Sequence, residues 1–343
     1  MAEIVVLGIG LMTPVGLSAA ETAASVRAGT TRFTQTNFRG VRGLEPVSLA
    51  EVPDDGLPDL AVEENGLTSR EMRLLRLATL PLLEALKAAG TSPPKPPLML
   101  ALPEIETLKP LDAAKFLTRL AKQTGDAFDP TTSRATQRGR AGGLLAIQEA
   151  AKLLQSGTAG RILVGGVDTF RDLFVLGLLE KHKRLKSSWN ADGFIPGEGA
   201  AFLLLGTPKS GQTLAKLSAI AEGKEEGHLF SAQPYKGEGL AGACEKLLAA
   251  EPLPPIQEIY SSMNGESHWA KEWGVAYLRH SKAFSPDARI HHPADCFGDL
   301  GAACGPVLIG LATLGMKQGY RRSPCLVYAS SDQGPRAVLT ATV

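Results

Sequence analysis

Apolar positions along this chain come in short continuous runs that alternate with longer one-sided stripes. Residues 4–8 form an apolar run closed by a glycine, as in a strand buried on both faces. Residues 19–28 predict a helix stopped by Gly29, residues 68–89 a long helix stopped by Gly90, and residues 97–102 a second buried strand. An amphipathic stretch covers 111–123. Further on, the pattern predicts a strand at 202–205, a strand opening a second half at 216–221, a helix over 240–250 and a strand over 256–261.

Between these elements the chain repeats itself. Gly139-Arg140-Ala141-Gly142-Gly143 leads into an apolar helix that ends near Gly157, and a strand follows that closes in Gly165-Gly166-Val167-Asp168. Gly298-Asp299-Leu300-Gly301-Ala302-Ala303 leads into another, ending near Gly319, and its strand closes in Ala329-Ser330-Ser331-Asp332. Helices with so little polar surface must be buried on most sides. Two of them are most easily placed back to back between two sheets, which gives a layered α/β/α/β/α duplication. The polar stretch 207–212 is the expected join, with halves at 1–206 and 207–343.

Gly139–Gly143 also has the shape of a nucleophile elbow. A Cys or Ser at the start of such a helix gains from the positive end of the helix dipole, which favours a thiolate. Position 140 holds an arginine, which is no nucleophile and whose charge opposes that dipole.

Composition narrows the function classes. Thirty-six basic side chains against thirty-five acidic ones give no global field toward nucleic acid or membrane, and 6% aromatics argue against base-stacking platforms. The four cysteines lack CxxC spacing, and the N-terminus has no basic segment ahead of its apolar run. A reduced, cytoplasmic setting is therefore expected. The uncharged run 300–316 falls short of the about 20 apolar residues of a membrane span and is broken by glycines, so it reads as a buried helix.

Four segments in order carry a family resemblance. Val5-Val6-Leu7-Gly8-Ile9-Gly10-Leu11-Met12-Thr13-Pro14 opens the chain, and Gly165-Gly166-Val167-Asp168 follows the elbow helix. Asp192-Gly193-Phe194-Ile195-Pro196-Gly197-Glu198-Gly199-Ala200-Ala201 and Gly301-Ala302-Ala303 complete the set. Over nearly its full length the chain resembles a β-ketoacyl synthase of the thiolase superfamily. The resemblance implies a thiolase-like fold, a dimer, and a cysteine nucleophile assisted by two histidines and a lysine. At the matching positions this chain has Arg140 for the cysteine, Asn264 and Gly298 for the histidines and Pro293 for the lysine. Ser331-Asp332-Gln333-Gly334 replaces the family's late glycine-rich loop. The segment between Leu102 and Gly139, which in ketosynthases helps wrap the partner and line the acyl channel, is short.

Other constellations compete for attention. Arg140 either plugs a relic cavity or pairs with a buried acid or an anionic ligand. Arg134, Arg138 and Arg140 form a small basic cluster that reads as a partly solvated turn, or as a contact for an acidic partner such as acyl carrier protein. Glu266 and His268 read as a polar surface pair, with an acid/base pair as the alternative. Cys296 reads as a buried inert thiol, with a relocated nucleophile as the alternative. Adjacent His291 and His292 lack a second ligand group, so no metal and no cofactor is expected. Glu198 reads as a structural carboxylate satisfied by the backbone of its own motif. Trp269 and Trp273 share a helix face and read as packing residues. Gly206–Thr213 lacks the lysine of a phosphate loop, and Gly8-Ile9-Gly10 lacks the third glycine of a dinucleotide fingerprint.

Taken together, the expectation is a non-catalytic ketosynthase-like scaffold with a protein partner and no nucleic acid or membrane. It acts either as an adaptor or co-chaperone for a bacterial secretion-system effector, or as a chain-length-factor-like subunit of an active ketosynthase. An acyltransferase with relocated groups is the competing class.

Overall fold

The computed structural model describes residues 3–40, 45–87, 94–104, 109–250 and 252–343. In chain order, the first part carries β1 (Ile4–Met12), α1 (Ala19–Arg27), β2 (Thr34–Arg39), β3 (Pro46–Leu49), α2 (Ser69–Lys87) and β4 (Pro97–Ala101). It continues through α3 (Ala113–Gln123), β5 (Asp129–Thr136), α4 (Gly142–Gln155), β6 (Arg161–Thr169), α5 (Leu173–Lys181) and β7 (Glu198–Gly206). The second part carries β8 (Ala215–Leu217), β9 (Ala221–Lys224), α6 (Glu238–Ala250), β10 (Ile256–Ser261), α7 (Ser267–His280) and β11 (Phe284–His291). It ends with α8 (Ala294–Phe297), α9 (Cys304–Lys317), β12 (Cys325–Ser330) and β13 (Pro335–Thr342).

The strand order shows the duplication. One half runs β5-β4-β6-β7-β1 and the other β11-β10-β12-β13, closing on β8 and β9. In both, the outer strands pair in parallel and the last ones antiparallel. Short β8 pairs with both β1 and β13, so the halves join into one mixed sheet, a link the apolar pattern does not announce.

Three apolar clusters define the layers. On one outer face, α2 and α3 set Leu74, Leu77, Leu82 and Phe116 against Leu98, Leu100 and Phe202. On the opposite outer face, α6 and α7 bring Leu240, Leu247 and Ala276 onto Ile259, Leu326 and Val338. Between the halves lie α4 and α9, whose Leu144, Ile147, Val307 and Leu311 share a cluster with Val164, Leu203, Val327 and Leu339. The result is a thiolase-like α/β/α/β/α arrangement. The two central helices cross closely at small residues. A Cβ on Gly143 would stand 2.3 Å from Pro306 Cδ, and one on Gly305 would stand 3.0 Å from Leu144 Cγ.

Several elements depart from the sequence pattern for identifiable reasons. β1 runs on to Met12, and Gly10 is a packing glycine whose Cβ would stand 1.9 Å from the Pro81 carbonyl oxygen of α2. β7 starts at Glu198, four residues before the expected strand, because its small residues are pressed between β1 and β6. The strand expected at 216–221 is broken into β8 and β9. Strands β5 and β11 were not anticipated, since edge strands with several exposed polar residues carry no apolar run. The end of the long helix expected at Gly90 lies outside the described residues. The join 207–212 holds a 3-10 turn at Pro208–Ser210. No helix among the described residues is long and apolar enough to cross a membrane.

The central crossing is testable. Gly143→Ala is expected to cost about 1–3 kcal/mol in urea unfolding, the usual penalty for overpacking a core. Gly242→Ala in α6, where a Cβ meets nothing within 4 Å, is expected to be neutral or stabilising by up to about 1 kcal/mol.

Candidate functional site

Parallel strands β4, β6, β10 and β12 point their carboxyl ends toward one region, where the turns preceding α4 and α9 also meet. Crevices outside such strand ends are the usual ligand sites of open α/β sheets. Each helix-leading turn is tied to the other half of the molecule. Asp168, at the end of β6, accepts from the Ala302 N–H of the turn before α9 at 2.9 Å. Ser331, just after β12, accepts through its hydroxyl from the Ala141 N–H of the turn before α4 at 3.0 Å.

Arg140 lies in that second turn, buried to 3% exposure. Its Nε donates to Asp299 Oδ2 at 2.8 Å, its Nη2 reaches the same oxygen, and its Nη1 donates to Asp332 Oδ1. Asp332 is shared with a second buried guanidinium, Arg184, which also grips both oxygens of Glu266 at 2.8 and 2.7 Å. Asn264 closes the ring, donating to Asp299 at 2.8 Å and to Glu266 at 3.0 Å. The Trp269 indole N–H donates to Glu266 at 3.0 Å, and the indole face lies 5.1 Å from the Arg140 guanidinium carbon. Every polar tip of both guanidiniums is thereby engaged by a carboxylate.

Electrostatics follow from this geometry. Asp332 is buried, a condition that by itself would raise its pKa. The charges of Arg140 and Arg184 overcome that and hold its carboxyl well below the usual carboxylate range. Arg140 is held above its ordinary value by Asp299 and Asp332 against the opposing effect of burial. Glu104, following β4, goes the other way: burial, reinforced by the charge of Asp332 and partly offset by Arg140, pushes its carboxyl up to about 7.

The structure brings together some of the residues singled out in the sequence and separates others. Arg140 and Asn264 meet through Asp299. Gly298 places nothing in the site; it adopts φ +70°, and its neighbour Asp299 supplies the side chain that enters. Pro293 caps short α8 and takes no part in the network. The basic cluster Arg134, Arg138 and Arg140 is not a cluster in space. Arg140 is buried among acids, Arg138 pairs with Glu222, and Arg134 is exposed on edge strand β5. Nor are Glu266 and His268 a surface pair. Glu266 turns inward to Arg184, while the His268 ring packs on Tyr235 at 4.3 Å. Burial, reinforced by Arg336, lowers the His268 pKa.

Burial pushes up the thiols of all four cysteines, Cys296 included, and Cys244 and Cys325 reach about 12. None is a poised thiolate. His291 bonds to Glu258 at 2.6 Å and His292 to Ser261 at 2.7 Å, so the adjacent rings serve different partners. Glu198 is buried and satisfied by the Val52 N–H at 2.8 Å, the Thr169 hydroxyl at 2.7 Å and Arg73, which come from outside its motif. Trp273 stacks on Tyr328 at 5.0 Å, whereas Trp269 on the same helix is part of the site. Arg184, Asp299 and Glu104 escaped the sequence reading. Only Asp299 left a signal there, one residue beyond the position examined at Gly298.

Residues 135–210 match the family described as β-ketoacyl synthase, N-terminal domain. No curated protein sequence matches the chain. Among solved structures it resembles the ishigamide ketosynthase/chain length factor, with 16% identity over 100% of this chain and 99% of that one and a TM-score of 0.79. A type II acyl-carrier protein in complex with its ketosynthase gives 16% identity, the same coverages and a TM-score of 0.80. The oxazolomycin ketosynthase domain of Streptomyces albus JA3453 gives 15% identity, 100% and 74% coverage and a TM-score of 0.82.

Removing one member of the buried network leaves charges uncompensated. Arg140→Met is expected to cost about 3–5 kcal/mol in urea unfolding. Asp299→Asn added to Arg140→Met is expected to recover part of that loss, giving a non-additive double-mutant cycle. The depressed Asp332 carboxyl contributes stability above its unfolded pKa of about 3.9. Unfolding at a series of pH values should show that contribution intact at neutral pH and lost as pH falls below about 4 toward the lower folded value.

Proposed function

We propose that this ketosynthase-like protein with the thiolase fold is a non-catalytic subunit, working as a chain-length-factor-like partner of an active ketosynthase. One observation carries the reading: where the resemblance puts a nucleophilic cysteine, Arg140 is locked between Asp299 and Asp332. A guanidinium in that position offers no lone pair for acyl transfer. Asn264, at a position matched to a histidine, is likewise committed to holding Asp299 and Glu266 and carries no transferable proton near neutral pH.

The choice of partner rests on the neighbours. Solved structures of the same fold include a ketosynthase/chain length factor and a ketosynthase bound to an acyl-carrier protein. A paired subunit that keeps the fold, with its own centre filled, suits that role. The halves 1–206 and 207–343 would then act as one unit, stapled by the crossed caps and the Arg140 network. The secretion-system adaptor reading shares the non-catalytic premise but predicts a different partner.

Co-expression with a ketosynthase and a carrier protein encoded beside the gene tests the partner. A stable complex by size-exclusion chromatography is the expected result. Capture of a secreted effector, with no ketosynthase, would transfer the reading to the adaptor. For the chemistry, Arg140→Cys is expected to show no decarboxylation of malonyl-thioester, and incubation with acyl-thioesters is expected to leave Cys296 unmodified by mass spectrometry. Stoichiometric acylation of either cysteine would sink the non-catalytic claim.

A further inference from the structure

Beside the charge network opens a cavity of about 610 Å³, within the size range of small-molecule sites. Its rim carries accessible apolar side chains, Phe174 at 42% exposure, Phe230 at 51% and Leu178 of α5, beside the polar Gln137, His182 and Gln333. Its floor is charged, formed by buried Arg184 and Asp332 with Glu104 beside them.

The sign of that floor is set by its partners. The guanidiniums of Arg140 and Arg184 face three carboxylates, Asp299, Asp332 and Glu266, and spend their donors on them. Among the described residues of the floor, no guanidinium is left over to receive an anion. Glu104 lines the same cavity and makes no ion pair among the described residues. Its carboxylate fits closely over Gly139, whose φ of +60° and missing Cβ leave the room it occupies; a Cβ there would stand 2.2 Å from Glu104 Oε2. A vestibule with apolar side chains that ends on an acid held by the Asp332 N–H, with no ion-pair partner among the described residues, complements a hydrocarbon chain carrying one positive charge.

We propose that this cavity binds a primary aliphatic amine, with its ammonium on Glu104 and its chain against Phe174, Leu178 and Phe230. The inference goes beyond the scaffold reading and does not depend on it, since it concerns ligand sign and not partner or chemistry. Ammonium donors match a lone carboxylate well, and charge-assisted hydrogen bonds are the stronger ones.

Calorimetric titration with n-octylamine, n-octanol and n-octanoate at pH 8 tests it. Octylamine is expected to bind about tenfold or more tighter than octanol, with octanoate weaker than both. Glu104→Gln should remove that preference and leave octanol unchanged, while Phe174→Ala should weaken octylamine and octanol alike. Lowering the pH from 8 to 6 should weaken octylamine. Burial and the charge of Asp332 push the Glu104 carboxyl to about 7 against the pull of Arg140, with Asp168 adding to the rise. Below that value it is neutral, whereas the alkylammonium stays charged throughout. Arg184 faces the same space and keeps its charge. His182 and Asp332 also line the wall, and Asp332 stays charged between Arg140 and Arg184; His182→Gln should keep the pH dependence and Glu104→Gln should abolish it. Equal affinity for octylamine and octanol, or an unaltered preference in Glu104→Gln, would overturn the proposal. If Glu104→Gln does not fold, Phe174→Ala on the exposed rim decides: unchanged octylamine binding there overturns it as well.

Discussion

The structure hinges on the place where two helix-leading turns meet at its centre. Helix α9 is apolar nearly all round and α4 is apolar through its buried first turns, so both are stable only when enclosed by both halves of the sheet. Enclosure strands the N–H groups at their starts, and each is answered from the opposite half: Ala302 by Asp168 and Ala141 by Ser331. The caps therefore do two jobs. They satisfy orphan donors, and they couple strand ends of one half to helix starts of the other. Close crossing at Gly143 and Gly305 follows from the same demand, because any bulkier residue would hold the helices apart.

That arrangement dictates what charge the centre tolerates. The two helix starts favour anions. A buried arginine is an electrostatic intruder there, and it is stable only with more than its own charge in acids. Asp299 and Asp332 supply this, and Asp332 in turn requires Arg184, which requires Glu266. One cation at position 140 thus propagates through the floor of the site. Such a network is poor evidence of stability, since an apolar replacement of similar volume often does as well. Its clearer consequence is to fix geometry: five charged side chains from both halves are held to one arrangement.

Much of this was legible in the sequence. The doubled glycine-rich turn and apolar helix announced the layered duplication, because burial on all sides leaves an unmistakable absence of polar residues. Arg140 stood out because it broke that pattern. The polar edge strands β5 and β11 left no such mark, since strands half in solvent tolerate polar side chains. Side-chain networks were legible only in part. Asp332 was visible as a departure at the end of the second repeat, but nothing local distinguished it from Asp168, which ends the first. One binds the guanidiniums of Arg140 and Arg184, the other pairs with Arg70 and caps a turn, and the difference is made by residues distant in sequence. Arg184 and Glu104 sit in loops with no periodicity, so only three-dimensional convergence reveals them.

The filled floor and the open vestibule bear on each other. A guanidinium–carboxylate network fills the floor of the site, and the cavity of about 610 Å³ beside it is lined by Phe174, Leu178 and Phe230. If the network served only to plug a disused channel, an apolar plug would have sufficed at lower desolvation cost. Two arginines surrounded by an excess of acid instead leave a floor of defined sign beneath a rim with apolar side chains.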